Sequence, residues 1–168
     1  QKPIYLVEPT EAYDFIWNVG DGYFITRTYQ NGYKFTILDN TWKVLASFAP
    51  GTVYDVGYLG ENRFCVYEYE GKVRPDYVVD ANGNQLFSVP YDSIGRYYEG
   101  LVEVREKTED GYRYGYIDTE GNLRIPMEYS YAGNFSEGVV PVSISESGMG
   151  QYGFIDTKGN VVIEPKYR

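Results

Sequence analysis

Carboxylates recur at regular places along this chain of 168 residues, and they are the side chains most able to do chemistry here. Four acidic residues stand directly before a glycine or an asparagine: Asp21, Glu61, Glu99 and Glu137. Two carboxylates facing each other about 5 to 9 Å apart would form a glycosidase site. An active site needs only one such pair, so recurrence once per repeat favours a structural role.

A second set of aspartates begins short polar segments: Asp39, Asp80, Asp118 and Asp156. Calcium loops need oxygen ligands at alternating positions, and in this set Lys158 stands where a ligand is required. We therefore predict that the aspartates cap tight turns. Gly121 and Gly159 would then supply the positive φ that such turns need.

The residue inventory excludes several kinds of site. The chain has no histidine and one cysteine, which rules out Ser-His-Asp and Cys-His catalysis and histidine-based zinc sites. A net charge of −9 argues against a nucleic-acid partner. No apolar run approaches the about 18 residues of a membrane-spanning helix, so we expect no membrane insertion. No motif predicts a catalytic residue, a cofactor or a metal, and Cys65 is expected to be a packed thiol.

The chain is repetitive, and its composition favours β-strands joined by tight turns, with 20 tyrosines, 19 glycines and 8 prolines. The segment 114–122 recurs at 152–160, and the acidic markers and a series of tyrosines keep about the same period. Three markers in one register predict a single repeat domain of four units of about 38 residues. The units span 13–53, 54–90, 91–128 and 129–168, after a leftover third strand within 1–12.

Each unit reads as a meander of three antiparallel strands, so the predicted fold class is all-β. Pro126 and Pro165 are expected to end the third strand, because proline cannot donate to a ladder. Gly115 and Gly153 fall in mid-strand, where an aromatic side chain of the adjacent unit is expected to cover them. The units could form an open twisted array or a closed four-bladed propeller. The duplicated third strand at the two ends of the chain favours the open array.

The repeat resembles the bacterial WG-containing repeat family. The matching residues are Phe135-Ser136-Glu137-Gly138, Tyr152-Gly153-Phe154-Ile155-Asp156 and Ile163-Glu164-Pro165-Lys166-Tyr167. The signature tryptophan is replaced by Tyr114 and Tyr152. The resemblance implies a β-rich repeat, mostly bacterial and often on secreted or envelope proteins. It therefore implies an extracellular or cell-envelope location. Separately, the duplicated third strand at the two ends of the chain predicts further repeats or domains beside these units.

Repeat arrays present extended surfaces, so the leading hypothesis is a non-enzymatic interaction module for a protein or polymer partner. The alternative is a carbohydrate or cell-wall binding module that uses exposed tyrosines, and a carboxylate-based hydrolase is a third. Candidate platform residues outside the repeat register are Tyr58, Tyr69, Tyr98, Tyr112 and Tyr131.

The links between the predicted first and second strands differ from unit to unit, whereas the aspartate turns are nearly uniform. Variation confined to one edge is typical of the binding side of a repeat protein, although hairpin tips also drift without function. The sequence thus predicts a possible binding edge centred on Tyr69, Arg74, Tyr112 and Met149.

Overall fold

A computed structural model describes residues 13–69, 74–144 and 151–167, and all of their regular elements are β-strands. Within these ranges there is no helix long and apolar enough to cross a membrane. The all-β fold class is confirmed. The predicted leftover strand in residues 1–12 lies outside the described residues.

Sixteen strands form four antiparallel sheets, each a four-stranded meander in chain order. The first sheet comprises β1 (Phe15–Gly20), β2 (Tyr23–Tyr29), β3 (Tyr33–Asp39) and β4 (Val44–Ser47). The second comprises β5 (Val53–Gly60), β6 (Arg63–Glu68), β7 (Tyr77–Asp80) and β8 (Gln85–Ser88). The third comprises β9 (Ser93–Tyr98), β10 (Leu101–Thr108), β11 (Gly111–Asp118) and β12 (Leu123–Tyr129). The fourth comprises β13 (Tyr131–Ala132), β14 (Val139–Ser143), β15 (Tyr152–Asp156) and β16 (Val161–Tyr167).

Each unit therefore has four strands, and the prediction of three is wrong in this respect. The additional strand precedes the acidic marker and pairs with the next strand as a hairpin. Asp21 and Gly22 have φ of 51° and 78°, and Glu99 and Gly100 have 54° and 79°. Two consecutive residues with positive φ make the type I′ turn that matches the twist of a two-stranded hairpin. The acidic markers are thus hairpin turns.

The hydrophobic core is divided into three clusters, each lying between two consecutive sheets. The first unites Ile25 and Phe35 with Phe64, and the last unites Tyr116 with Ile155. No cluster of the described residues joins the fourth sheet to the first, and the open arrangement is confirmed. A single small meander cannot bury its own apolar face, so the units are stable because they stack.

The two prolines lie inside strands, so the prediction that they end the third strand is wrong. Tyr116 pairs with Ile125 and Tyr114 with Tyr129, so β12 holds two extra residues in a bulge around Pro126. The same bulge surrounds Pro165 in β16. A bulge is the place in a sheet where proline is tolerated, because the residue there leaves the ladder.

The mid-strand glycines make room for these bulges. A Cβ atom on Gly115 would lie 2.6 Å from the carbonyl oxygen of Ile125, and one on Gly153 would lie 2.7 Å from the nitrogen of Pro165. The expected aromatic cover from an adjacent unit is therefore wrong. The neighbour is the bulged backbone of the next strand in the same sheet.

Candidate functional site

The meander gives each sheet two distinct ends. One end, called the turn end, carries the acidic hairpin turns and the aspartate turns (21–22, 61–62, 99–100 and 137–138, with 39–42, 80–83, 118–121 and 156–159). The opposite end, called the link end, carries the segments between the second and third strands of each sheet and the connections from one sheet to the next.

At the turn end, the acidic side chains join one unit to the next. The Glu61 carboxylate accepts a hydrogen bond of 2.9 Å from the backbone N–H of Gly100. The Glu99 carboxylate accepts one of 2.9 Å from the backbone N–H of Gly138, which lies in the next unit. In the first unit, Asp21 accepts a hydrogen bond from the hydroxyl of Tyr58. The repeated carboxylates therefore serve as staples between units.

The aspartate turns share one hydrogen-bond pattern. The Asp118 carboxylate accepts the backbone N–H groups of Glu120 and Asn122, both at 2.9 Å. Asp156 makes the equivalent bonds, and the side-chain amide of Asn160, followed by its backbone N–H, lowers the pKa of the Asp156 carboxyl below its ordinary value. These carboxylates are occupied in turn capping.

The turn glycines also contact the preceding unit. Gly121 and Gly159 have φ of 86° and 83°. A Cβ atom on Gly121 would meet the ring of Phe87, and one on Gly159 would touch Ile125, so each turn lies on the fourth strand of the sheet before it. In the first unit Trp42 occupies the equivalent place, with φ of 65°, and stacks on Phe24. The turn end therefore takes part in the packing of one unit on the next.

The link end displays exposed aromatic side chains on every sheet. Three sheets carry a pair of tyrosines in edge-to-face contact. The distances between ring centres are 5.5 Å for Tyr29 and Tyr33, 6.0 Å for Tyr54 and Tyr69, and 5.5 Å for Tyr131 and Tyr152. The remaining sheet carries Tyr112, whose ring lies 4.6 Å from the guanidinium carbon of Arg105. We call these seven tyrosines the aromatic edge. Their side chains are between 36% and 66% exposed.

The structure separates the predicted platform residues. Tyr69, Tyr112 and Tyr131 lie on the aromatic edge, whereas Tyr98 precedes an acidic hairpin turn and lies at the turn end. Tyr58 is buried in the first core cluster, so its prediction as an exposed residue is wrong.

Of the remaining predicted residues, Arg74 and Cys65 lie within the part of the chain that the structure describes. Arg74 lies at the link end and is half-buried, and Met149 lies outside the described residues. Cys65 is fully buried, and this burial raises the pKa of its thiol to about 12. It is the packed thiol that the sequence predicts.

A cleft of about 420 Å³ opens between the first and second sheets. Trp17 and Arg27 line it from the first sheet, and Tyr54 and Asp55 line it from the second. Tyr54 belongs to the aromatic edge, so the cleft and the edge adjoin. Sequence reasoning missed this cleft because its two walls come from different repeats, and no short motif encodes their approach.

Comparison with known proteins identifies the repeat. The family model of the WG-containing repeat matches residues 114–146 and 152–168. No curated protein matches the chain in sequence.

Among solved structures, the chain is similar to a protein of unknown function from Bacteroides caccae, with 14% sequence identity and a TM-score of 0.37. The alignment covers 85% of this chain and 62% of that protein, so the chain spans less than two thirds of its length.

The two segments that match the WG-containing repeat lie in the two units that carry the proline bulge. Tyr114 and Tyr152 stand at the signature tryptophan position, and each is followed by the glycine that faces the bulge. In the first two units, Thr36 and Tyr77 stand at the glycine position, and β4 and β8 run without a proline bulge. The motif therefore encodes a local backbone geometry.

Proposed function

We propose that this chain is a non-enzymatic binding module whose aromatic edge holds an extended carbohydrate. The observation that supports this proposal is the presence of an exposed aromatic group at the same end of all four sheets. Tyrosine combines an apolar ring with a hydrogen-bonding hydroxyl. That combination suits a sugar, which has an apolar C–H face and a rim of hydroxyl groups.

The spacing of the units supports a polymer as the ligand. Sheets packed face to face lie about 10 Å apart, so successive aromatic groups should recur at about that interval. A chain of sugars could contact several of them at once, and several weak contacts on one rigid array add to a strong attachment. A short ligand would use a single group and bind weakly.

The edge-to-face pairs favour binding without a large ordering cost. Tyr54 and Tyr69 contact each other at 6.0 Å before any ligand is present, and both remain about half exposed. Rings held in place by a neighbour lose little conformational freedom on binding. A location at the bacterial cell surface or outside the cell fits a ligand of this class.

A hydrolase is less well supported, because the recurrent carboxylates already have structural partners. Glu61 and Glu99 accept backbone N–H groups of the next unit, and the turn aspartates accept those of their own turns. A carboxylate that holds two units together is poorly placed to give or take a proton from a substrate.

The proposal is tested by binding to a panel of soluble bacterial and plant polysaccharides, measured by calorimetry. The double variant Tyr54→Ser/Tyr69→Ser should lose about thirtyfold in affinity, since each of the two rings contributes on the order of 1 kcal/mol. The matched control is Tyr98→Ser, which removes a tyrosine of similar exposure at the turn end. Equal affinity of both variants for the polysaccharide would place the ligand away from the aromatic edge.

A further inference from the structure

Arg27 lies in the wall of the cleft between the first and second sheets, against aromatic rings. Its guanidinium carbon lies 4.4 Å from the ring centre of Phe15 and 4.4 Å from that of Tyr33, with Trp17 at 5.6 Å. Among the described residues no carboxylate forms an ion pair with it, and its buried Nε atom has no hydrogen-bond partner. In the part of the chain that the structure describes, its guanidinium group therefore lies against aromatic rings.

This arrangement determines what the arginine can bind. Rings against a guanidinium group attract it through cation–π contact but accept none of its N–H hydrogen bonds. The N–H edge of the planar group is left as its hydrogen-bonding side, and that edge matches the two oxygens of a carboxylate.

The rest of the cleft favours a sugar over a simple anion. Trp17 and Tyr54 line it with rings that are 41% and 48% exposed, which can stack on an apolar face. The Asp55 carboxylate, which accepts the N–H of Val56 at 2.9 Å, is exposed and can accept further hydrogen bonds from hydroxyl groups. A ligand that suits all of these groups has one carboxylate, several hydroxyls and an apolar face.

We propose that this cleft binds a uronic acid residue of an acidic polysaccharide, with its carboxylate on Arg27 and its hydroxyls toward Asp55. This inference rests on the proposed function, which gives a carbohydrate as the class of ligand. It adds that the carbohydrate carries negative charge. Because Tyr54 belongs to both the cleft and the aromatic edge, neighbouring sugars of the same polymer would continue along the edge. The cleft thus selects an acidic polymer, although the protein itself has a net charge of −9.

The test compares an oligogalacturonate with the same oligosaccharide after chemical reduction of its carboxyl groups to alcohols. Binding to the whole chain is measured by calorimetry at fixed ionic strength. The acidic form should bind at least about tenfold more tightly, as expected for a charge-assisted bidentate pair. This comparison needs no variant, so it does not depend on how a substitution affects folding.

Variants then locate the carboxylate. Arg27→Gln should reduce affinity for the acidic form to about that for the reduced form, and Arg27→Lys should restore only part of it, since lysine lacks the planar fork. Arg105→Gln is the matched control, because Arg105 also lies against a tyrosine ring but does not line the cleft. Thermal melts confirm that each variant is folded.

The outcomes separate the two proposals. Equal affinity for the acidic and reduced forms would overturn the cleft assignment and leave the carbohydrate function standing. Loss of binding in Arg105→Gln but not in Arg27→Gln would also overturn the assignment. Absence of binding to any glycan would overturn both proposals, and an Arg27-dependent preference for acidic peptides over uronates would overturn the ligand class.

Discussion

The carbonyl oxygen of Ile125 lies 2.6 Å from the point that a Cβ atom on Gly115 would occupy. Glycine stands there because the bulge around Pro126 presses the backbone of β12 against β11. The mid-strand glycine and the proline that follows it 11 or 12 residues later therefore form one structural feature. Each would be unfavourable in a strand without the other.

We predict that Gly115→Ala lowers the free energy of unfolding by about 1 to 3 kcal/mol, because the added methyl group overlaps backbone atoms that have little room to move. Urea denaturation measures the loss. The control is Gly57→Ala, a strand glycine whose added Cβ atom would have its nearest neighbour at 4.0 Å. If both variants unfold at the same urea concentration, the close approach at Gly115 has no energetic effect.

Much of this fold can be predicted from the sequence, because turn chemistry and strand alternation are local. The repeat period, the aspartate turns and the strand Tyr152–Asp156 follow directly from the residues. The fourth strand of each unit is also predictable from the sequence, since an Asp-Gly or Glu-Gly pair between apolar segments is a hairpin signal.

The candidate site could be predicted only in part. Variation of the links indicates the end of the array where Tyr69 and Tyr112 lie, which is the end that we propose for binding. The contact of Tyr54 with Tyr69 joins the start of the β5–β6 hairpin to the residue just after its end. The position of Arg27 in a cleft depends on how one sheet packs on the next. Both are long-range contacts that single-sequence patterns do not encode.

The carboxylate staple between units has its own test. We predict that Glu99→Ala lowers the free energy of unfolding by about 1 kcal/mol more than Glu137→Ala, because only Glu99 accepts a backbone N–H of a following unit. The two residues have φ of 54° and 53° in equivalent turns, so backbone effects cancel in the comparison. Differential scanning calorimetry of both variants gives the difference. Equal destabilisation would show that the staple contributes nothing.

Glu103 should make stability depend on pH. Burial raises the pKa of this carboxyl from 4.5 to about 7, against the smaller opposing effect of Arg105. The folded state therefore keeps a proton that the unfolded state has released, and stability falls as pH rises from about 4.5 to about 7. Glu103→Gln carries no such proton, so it should match the parent protein near pH 4 and exceed its melting temperature at pH 8.

The control for this prediction is Glu106→Gln, which changes an exposed carboxylate on the same strand. Its melting temperature should differ from that of the parent by a similar amount at both pH values. A Glu103→Gln variant whose advantage is the same at pH 4 and pH 8 would show that the Glu103 carboxyl titrates normally.

The central claim is that the link end, with its tyrosines, is the surface that binds carbohydrate. Nuclear magnetic resonance of the isotope-labelled chain during titration with an oligogalacturonate tests it most directly. We predict chemical-shift changes at Tyr54, Tyr69 and the Arg27 side chain, with the aspartate turns at 118–121 and 156–159 unaffected. Shift changes confined to the turn end, or none at millimolar oligosaccharide, would contradict the account.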